Sequence, residues 1–259
     1  MPRSKKAARN IVPAVVRALK VLELFRRERP ELSLAELCRQ LRAPKSSTYR
    51  MAFTLESMGY LTRTSSGGFR LGPAILSLGF DYLASQELVD LAQPELAKLR
   101  DATDATALLE VLEGPDVICV AQAMSHKTLA TRVPIGARYP AYANAAGRAL
   151  LATRPEAEVE ALYRKSGFQR FTPDTPLSLA ALKRLLANDL DHGFAVSRGA
   201  YQRGIVAIAA VVRDAQRSAI AAVSVVGPAI DLDNRVDGDV KNLVLQSSVR
   251  LSSMMGFRQ

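Results

Sequence analysis

Residues 32–61 read LSLAELCRQLRAPKSSTYRMAFTLESMGYL and contain the signals of two short helices joined by a tight turn. Ser33 and Glu36 have the spacing of a capping box, in which the hydroxyl and the carboxylate satisfy free backbone amides at a helix start. Pro44 keeps the first helix from continuing. An amphipathic segment at 12–27 precedes them, with its apolar repeat at Val12, Val15, Val16, Leu19 and Leu22. Three short helices with a tight second turn predict a helix-turn-helix.

The third predicted helix has two dissimilar faces. Its inner face is formed by Thr48, Met51, Ala52, Leu55 and Met58. Its outer face carries hydroxyl, aromatic and basic side chains and no acidic one. In a helix that lies in the major groove, the N-terminal residues meet base edges, and an Arg can hold a guanine through two hydrogen bonds. We therefore expect DNA contacts from Lys45, Ser46, Ser47, Tyr49 and Arg50.

A hairpin wing is expected directly after this helix. Strand-like pieces at 60–63 and 69–71 enclose the turn Thr-Ser-Ser-Gly-Gly, whose glycines can adopt a positive φ. Arg63 and Arg70 flank the turn. Each is either a phosphate contact or an ordinary exposed strand residue, and we include Arg63 among the expected DNA contacts.

The net charge of +10 is concentrated at one end of the 259-residue chain. Residues 1–70 contain 15 Lys and Arg against 5 Glu and no Asp, whereas residues 71–259 contain 20 basic and 20 acidic residues. Only four of the fifteen precede the first predicted helix, namely Arg3, Lys5, Lys6 and Arg9. A basic segment attached to an electroneutral body suits a polyanionic partner such as DNA. The alternative is a basic tail followed by solvated helix faces.

The remainder of the chain predicts a linker helix followed by an α/β domain. The linker, 73–88, is apolar, and we expect it to pack on a symmetric copy, which would space two recognition helices one DNA turn apart. The next helix contains Pro94 and is expected to break or bend at Gln93. Strands rich in Val and Ile are predicted at 106–111, 117–123, 194–197, 205–212 and 219–226, with helices at 146–152, 156–165, 179–192 and 237–255. The expected domain bounds are 12–72, 73–88 and 89–259.

Catalytic and metal-binding patterns are missing from the sequence. His126 and His192 are the two histidines, and neither stands in a catalytic or metal-binding motif. Cys38 and Cys119 lie far apart, which argues against a disulfide frame or a zinc cluster. We expect no enzyme activity, no metal and no cofactor.

Compartment and membrane signals are also missing. The longest uncharged apolar run, 204–212, is far shorter than the ~20 residues of a membrane-spanning helix. The N-terminal ten residues lack the apolar stretch of a secretory signal. We expect a soluble cytoplasmic protein without a membrane partner.

An ordered series of motifs resembles the IclR family of bacterial transcriptional regulators. It comprises the segment 32–61, FRLG at 69–72, PAYANAAGRALLA at 140–152, HGFAV at 192–196, RGIVAIAAVV at 203–212 and AAVSVVGP at 221–228. The resemblance implies an α+β protein with an N-terminal winged helix-turn-helix, a dimerising linker helix and a C-terminal GAF-like α/β effector-binding domain. It also implies a homodimer or homotetramer that binds double-stranded operator DNA and responds to a small organic acid.

The resemblance further implies where the effector lies. The matching positions are Ala145, Ala146, Ser197, Ile205, Ala207 and Ser224. Free amides at a helix N-terminus would hold a carboxylate, Ser224 would donate a further hydrogen bond, and Ile205 and Ala207 would form an apolar wall. The alternative for each is core packing.

The 140–152 segment is particularly similar to the branch that controls the β-ketoadipate pathway, whose effectors are aromatic acids. After HGFAV the chain has Arg198 and Arg203 where members often have acidic residues, and it has Ala207 where members often have a polar residue. An aromatic carboxylate therefore fits better than a small keto acid, with Tyr142 or Met124 as neighbours. Two other functions remain open, namely an enzyme acting on an aromatic acid with an appended DNA-binding domain, and an architectural DNA binder without an effector.

Overall fold

The computed structural model describes residues 10–26, 28–84, 87–128 and 130–258, and it divides the chain into two compact units, Met1–Ser85 and Gln86–Gln259. The four basic residues Arg3, Lys5, Lys6 and Arg9 lie outside the described residues. Each unit has its own hydrophobic core.

The first unit is a winged helix-turn-helix. Its elements are α1 (Pro13–Glu23), β1 (Glu31–Leu32), α2 (Leu34–Leu41), α3 (Lys45–Ser57), β2 (Leu61–Arg63), β3 (Phe69–Leu71) and α4 (Ala74–Ala84). The predicted capping box is confirmed, because the Ser33 amide donates to a Glu36 carboxylate oxygen at 2.8 Å and the Glu36 amide donates to Ser33 Oγ at 3.3 Å. Arg42 ends α2 in a left-handed backbone conformation with φ 48°, which turns the chain toward α3.

The wing contains one strand more than the sequence predicts. The three strands pair antiparallel in the order β1-β3-β2, and β1 had not been expected because it contains two residues. Gly72 ends the wing where a Cβ would lie 2.1 Å from the Gly59 carbonyl oxygen. A side chain at Gly72 would therefore push the wing away from the end of α3.

Two expectations about the first unit are wrong. The first helix ends at Glu23 rather than at residue 27. Val21 is the buried residue of α1 and Phe25, just after the helix, also lies in the core, whereas Val12, Val15, Val16 and Leu19 are exposed. Met58, expected on the inner face of α3, follows the last turn of the helix and is 58% exposed. Helical spacing identifies an apolar stripe but does not show whether the stripe faces the chain's own core.

The second unit is built on one six-stranded antiparallel sheet of order β6-β5-β4-β9-β8-β7. Its strands are β4 (Thr106–Glu113), β5 (Asp116–Ala123), β6 (Arg138–Pro140), β7 (Ala195–Arg198), β8 (Ile205–Arg213) and β9 (Ala219–Pro228). Its helices are α5 (Glu87–Thr103), α6 (Ala145–Ala152), α7 (Glu156–Ser166), α8 (Leu179–His192), α9 (Ala229–Leu232) and α10 (Asp239–Met254). The five predicted strands are confirmed within a few residues, and β6 had not been predicted.

Helix α5 was expected to break or bend at Gln93, but it runs without interruption through Pro94. Its buried residues Leu88, Ala92, Leu96 and Leu99 hold it against the sheet on both sides of the proline. Packing therefore outweighs the one backbone hydrogen bond that the proline removes.

A buried ion pair fixes the position of α6. Arg148 donates to the two carboxylate oxygens of Asp189 in α8 at 2.9 and 3.3 Å, and to the Val196 carbonyl oxygen in β7 at 2.7 Å. Both side chains of the pair are at most 5% exposed. Gly147 brings the start of α6 against the 3-10 turn Ala141–Ala143, since a Cβ there would lie 2.3 Å from the Ala141 Cα.

No described helix combines the length and the hydropathy that crossing a membrane requires.

Candidate nucleic-acid interface and ligand cavity

The outer face of α3 carries basic, hydroxyl and aromatic side chains. Lys45, Ser46, Tyr49 and Arg50 are exposed, and Ser47 is half-buried. Within the described residues, neither Lys45 nor Arg50 forms an ion pair or a side-chain hydrogen bond. The hydroxyl of Ser47 donates to the Pro44 carbonyl oxygen at 3.0 Å, so its acceptor lone pairs remain for a ligand. This face matches the geometry and the charge of a DNA-reading helix.

An aromatic pair extends the same face. The rings of Tyr49 and Phe53 stack with centroids 6.2 Å apart, and both side chains are about half exposed, at 45% and 55%. Stacking holds Tyr49 next to the first turn of α3.

The two wing arginines are in different situations. Arg63 donates from Nε and Nη2 to the two carboxylate oxygens of Glu56 at 3.1 and 2.9 Å, and its guanidinium carbon lies 4.7 Å from the centre of the Phe69 ring. The hydrogen bond to Glu56 raises the pKa of Arg63. Arg70 is exposed and forms no ion pair among the described residues. A phosphate contact from Arg63 would have to compete with its ion pair to Glu56, whereas Arg70 attracts the Glu31 carboxylate on the paired strand without forming an ion pair.

The structure brings the six expected effector residues together around one cavity. Ala145 and Ala146 lie at the start of α6, and four strand residues complete the set, namely Ser197, Ile205, Ala207 and Ser224. The cavity lies on the face of the sheet that α6 covers. Whether these residues bind an effector stays a prediction.

The start of α6 offers two free backbone amides to the cavity. Asn144 caps the helix, with its Oδ1 accepting from the Gly147 amide at 3.2 Å, and the Asn144 carbonyl accepts from the Arg148 amide at 3.0 Å. The amides of Ala145 and Ala146 have no partner in the described hydrogen bonds. Partial positive charge at a helix start favours an anion there.

A buried carboxyl group in the cavity was missed by the sequence analysis. Glu110 of β4 is 1% exposed, and it accepts from Ser224 Oγ at 2.6 Å and from Asn144 Nδ2 at 3.2 Å. Burial raises the pKa of Glu110 to about 7, and the two hydrogen bonds only partly oppose that rise. The available signal was an acidic residue in the middle of the apolar strand TALLEVLE.

The Ser224 hydroxyl, expected to donate a hydrogen bond to the effector, has Glu110 as its partner in this structure. Its hydroxyl proton is donated to Glu110 and not into the open cavity, so Ser224 meets a ligand with its acceptor lone pairs. Burial and the Glu110 charge also raise the pKa of the neighbouring Cys119 thiol, to about 12. That thiol is a poor nucleophile, since the thiolate is the reactive form.

Aromatic and polar side chains form the mouth of the cavity. Tyr139 and Tyr201 pack edge to face with ring centroids 5.1 Å apart. Arg132 also lines the cavity, is exposed and forms no ion pair with a described residue. Thr131 has a buried hydroxyl oxygen that finds no hydrogen-bond partner among the residues that the structure describes.

Two suggested neighbours of the ligand do not line this cavity. Tyr142 is buried in an aromatic cluster with Tyr163 and Phe168, and its hydroxyl donates to the Gln169 carbonyl at 2.9 Å. Met124 is 42% exposed at the end of β5.

Comparison with known proteins identifies both units. The family model of the IclR helix-turn-helix domain matches residues 14–65, and the model of the IclR C-terminal domain of bacterial transcriptional regulators matches residues 80–253. The transcriptional repressor IclR of Escherichia coli (strain K12) is 29% identical over 220 residues, which cover 84% of this chain and 80% of that protein.

Solved structures show the same fold. An IclR transcriptional regulator from Alicyclobacillus acidocaldarius has a TM-score of 0.82 and 26% identity over 95% of this chain and 100% of that one. An IclR homolog from Microbacterium hydrocarbonoxydans, solved in complex with 4-hydroxybenzoate, has a TM-score of 0.77 and 25% identity over 93% of this chain and 98% of that one.

Proposed function

The chain belongs to the IclR family of bacterial transcriptional regulators, and we propose that it controls a catabolic operon in response to a small aromatic carboxylic acid. It is a DNA-binding regulator, and its families and relatives are regulators rather than enzymes. The finer proposal assigns 12–72 to operator binding, 73–88 to dimerisation and 89–259 to effector binding, in a cytoplasmic protein.

The observation that carries the effector proposal is the combination of free helix amides and aromatic walls in one cavity. The unpartnered amides of Ala145 and Ala146 suit a carboxylate. Ile205, Ala207 and the rings of Tyr139 and Tyr201 line the same cavity and give it an apolar and aromatic surface that suits a planar ring. The homolog complexed with 4-hydroxybenzoate supports this ligand class by similarity.

Exposed apolar side chains support a dimer or tetramer. They lie on α1 and α4, namely Val12, Val15, Val16 and Leu19 before the helix-turn-helix and Leu76, Leu78 and Phe80 after the wing. None of the α4 residues is buried within the described chain. A second copy that covers these surfaces would place two α3 helices on a palindromic operator.

Ligand binding is tested by titrating the full chain with 4-hydroxybenzoate, benzoate, pyruvate and glyoxylate in a calorimeter. We expect the two aromatic acids to bind more tightly than the two keto acids. Ala207→Leu should weaken aromatic binding at least tenfold, because the added atoms fill part of the cavity. Val211→Leu is the matched control, four residues along the same strand, half-buried and outside the cavity lining. If none of the acids binds, the effector proposal is wrong and an architectural DNA binder is favoured.

Base reading is tested separately with Arg50→Ala. This variant should lose affinity for its operator far more than for unrelated DNA, because a base contact contributes only to specific binding. Equal losses on both DNAs, measured by fluorescence anisotropy at one salt concentration, would remove Arg50 from the base-reading set.

A further inference from the structure

Glu110 is a buried acid in the wall of the cavity. It forms no ion pair with any described residue, and its two hydrogen-bond partners, Ser224 and Asn144, are neutral. The titratable and charged groups around it are Cys119 on β5, Tyr139 on β6, and Tyr201 and Arg132 in the loops of the cavity mouth. Burial raises the pKa of the Cys119 thiol and of the Tyr139 phenol, which keeps both neutral near pH 7, and Arg132 is exposed.

The same carboxyl group is linked to the expected anion site through one side chain. Asn144 donates to Glu110 from Nδ2 and caps α6 with Oδ1, and the free amides of Ala145 and Ala146 are the next two along the chain. Glu110 and those two alanines line one cavity. A ligand carboxylate at these amides and an ionised Glu110 would therefore repel each other across a poorly solvated space.

We propose that Glu110 is the specificity-determining residue of this cavity, which accepts an anionic ligand together with one proton held on the Glu110 carboxyl group. The inference rests on the proposed effector function. Protonation removes the repulsion and gives the carboxyl group an O–H donor for the ligand or for the Ser224 oxygen. The ionised form rejects a carboxylate but tolerates a neutral ligand of the same shape.

The expected effect follows from the pKa of about 7. The protonated fraction of the ligand-free cavity falls from about 0.9 at pH 6 to about 0.1 at pH 8, and the apparent Kd rises in inverse proportion. Binding of 4-hydroxybenzoate should therefore weaken about tenfold between these pH values. It should take up about 0.9 proton per ligand at pH 8, since the bound state is protonated.

The test is calorimetric titration of the full chain in buffers of different ionisation enthalpy at pH 6 and pH 8. The probes are 4-hydroxybenzoate and the neutral 4-hydroxybenzamide, which carries the same phenol and so corrects for its ionisation. We expect proton uptake with the acid and none with the amide. Uptake in the wild-type chain is measured without any substitution, so the result does not depend on how a variant folds.

Two variants assign the proton to its residue. Glu110→Gln should bind the acid with equal affinity at both pH values and without proton uptake. Glu113→Gln, at the exposed end of the same strand, should behave as the wild-type chain does. Binding of the acid without proton uptake, or uptake that persists in Glu110→Gln, would overturn this inference and leave the proposed function standing. No binding of the acid at either pH would contradict both.

Discussion

Replacing Glu110 with Gln in the ligand-free protein should stabilise the second unit at pH 8 much more than at pH 5. The folded protein keeps the Glu110 proton up to a pKa of about 7, whereas the unfolded chain releases it near the ordinary value of 4.5. Between these values the folded state binds more protons, so stability falls as the pH rises. The side-chain amide of the Glu110→Gln variant does not ionise, so the stability of the variant does not fall with rising pH for this reason.

The size of the effect follows from the two pKa values. Relative to a side chain that stays protonated, ionisation of Glu110 lowers the free energy of unfolding by about 1 kcal/mol at pH 5 and by about 3 kcal/mol at pH 8. The difference in stability between variant and wild type should therefore grow by about 2 to 3 kcal/mol over this range. For a unit of this length that corresponds to a change of roughly 5 to 10 °C in the difference between the two Tm values.

Differential scanning calorimetry of the full chain at pH 5, 6.5 and 8 measures this difference for the second unit. Glu113→Gln controls for the loss of a carboxylate from the same strand and should show no growing gap. A difference in Tm between Glu110→Gln and wild type that is the same at pH 5 and pH 8 would refute the reasoning. It would mean that water or a side-chain movement solvates the Glu110 carboxylate in the folded state.

Four further substitutions have defined outcomes. Arg148→Met should destabilise the second unit by about 3 to 5 kcal/mol in urea unfolding, because it leaves the buried carboxylate partner of Arg148 without a counter-charge; a loss below about 1 kcal/mol would contradict this. Gly147→Ala should weaken effector binding more than it changes DNA affinity, since its Cβ would displace the start of α6 from Ala141. If calorimetric titrations show an unchanged effector affinity, the 3-10 turn Ala141–Ala143 moves instead of α6. Arg70→Ala should lower the slope of log DNA affinity against log salt concentration by about one phosphate contact, and Arg63→Ala should lower it by less. If Arg63→Ala has the larger effect, Arg63 leaves Glu56 and contacts a phosphate when DNA binds.

The helix-turn-helix could be predicted because its signals are local. The capping box at Ser33 and Glu36 and the break at Pro44 act over three or four residues, and the structure shows both. The surface that the apolar stripe of α1 packs on could not be predicted, since burial of α1 depends on contacts with α2 and α3 that spacing alone does not specify. The short strands β1 and β6 were missed because two or three residues carry no periodic signal.

Some residues around the cavity could be predicted from the sequence and others could not. The resemblance pointed to six of the lining positions, because they lie within ordered motifs of the chain. Glu110 could not be placed, since its environment depends on sheet register. Leu108 pairs with Ser224 and Glu110 with Ala222, so the Glu110 carboxylate and the Ser224 hydroxyl meet diagonally across β4 and β9, 114 residues apart in sequence. Register between distant strands is a property of the whole sheet.

The loss of stability that an ionised Glu110 causes in the folded protein supports a role for this residue in ligand binding. A buried carboxyl group without a cation destabilises the protein at neutral pH, and the amide of the Glu110→Gln variant would keep hydrogen bonds to Ser224 and Asn144 without that cost. Residues that lower stability are concentrated where function requires them. A ligand that binds only with a proton couples its binding to the protonation of Glu110, so its affinity falls as the pH rises. An effector of this kind would shift a regulator between two DNA-binding states by an amount that depends on the pH.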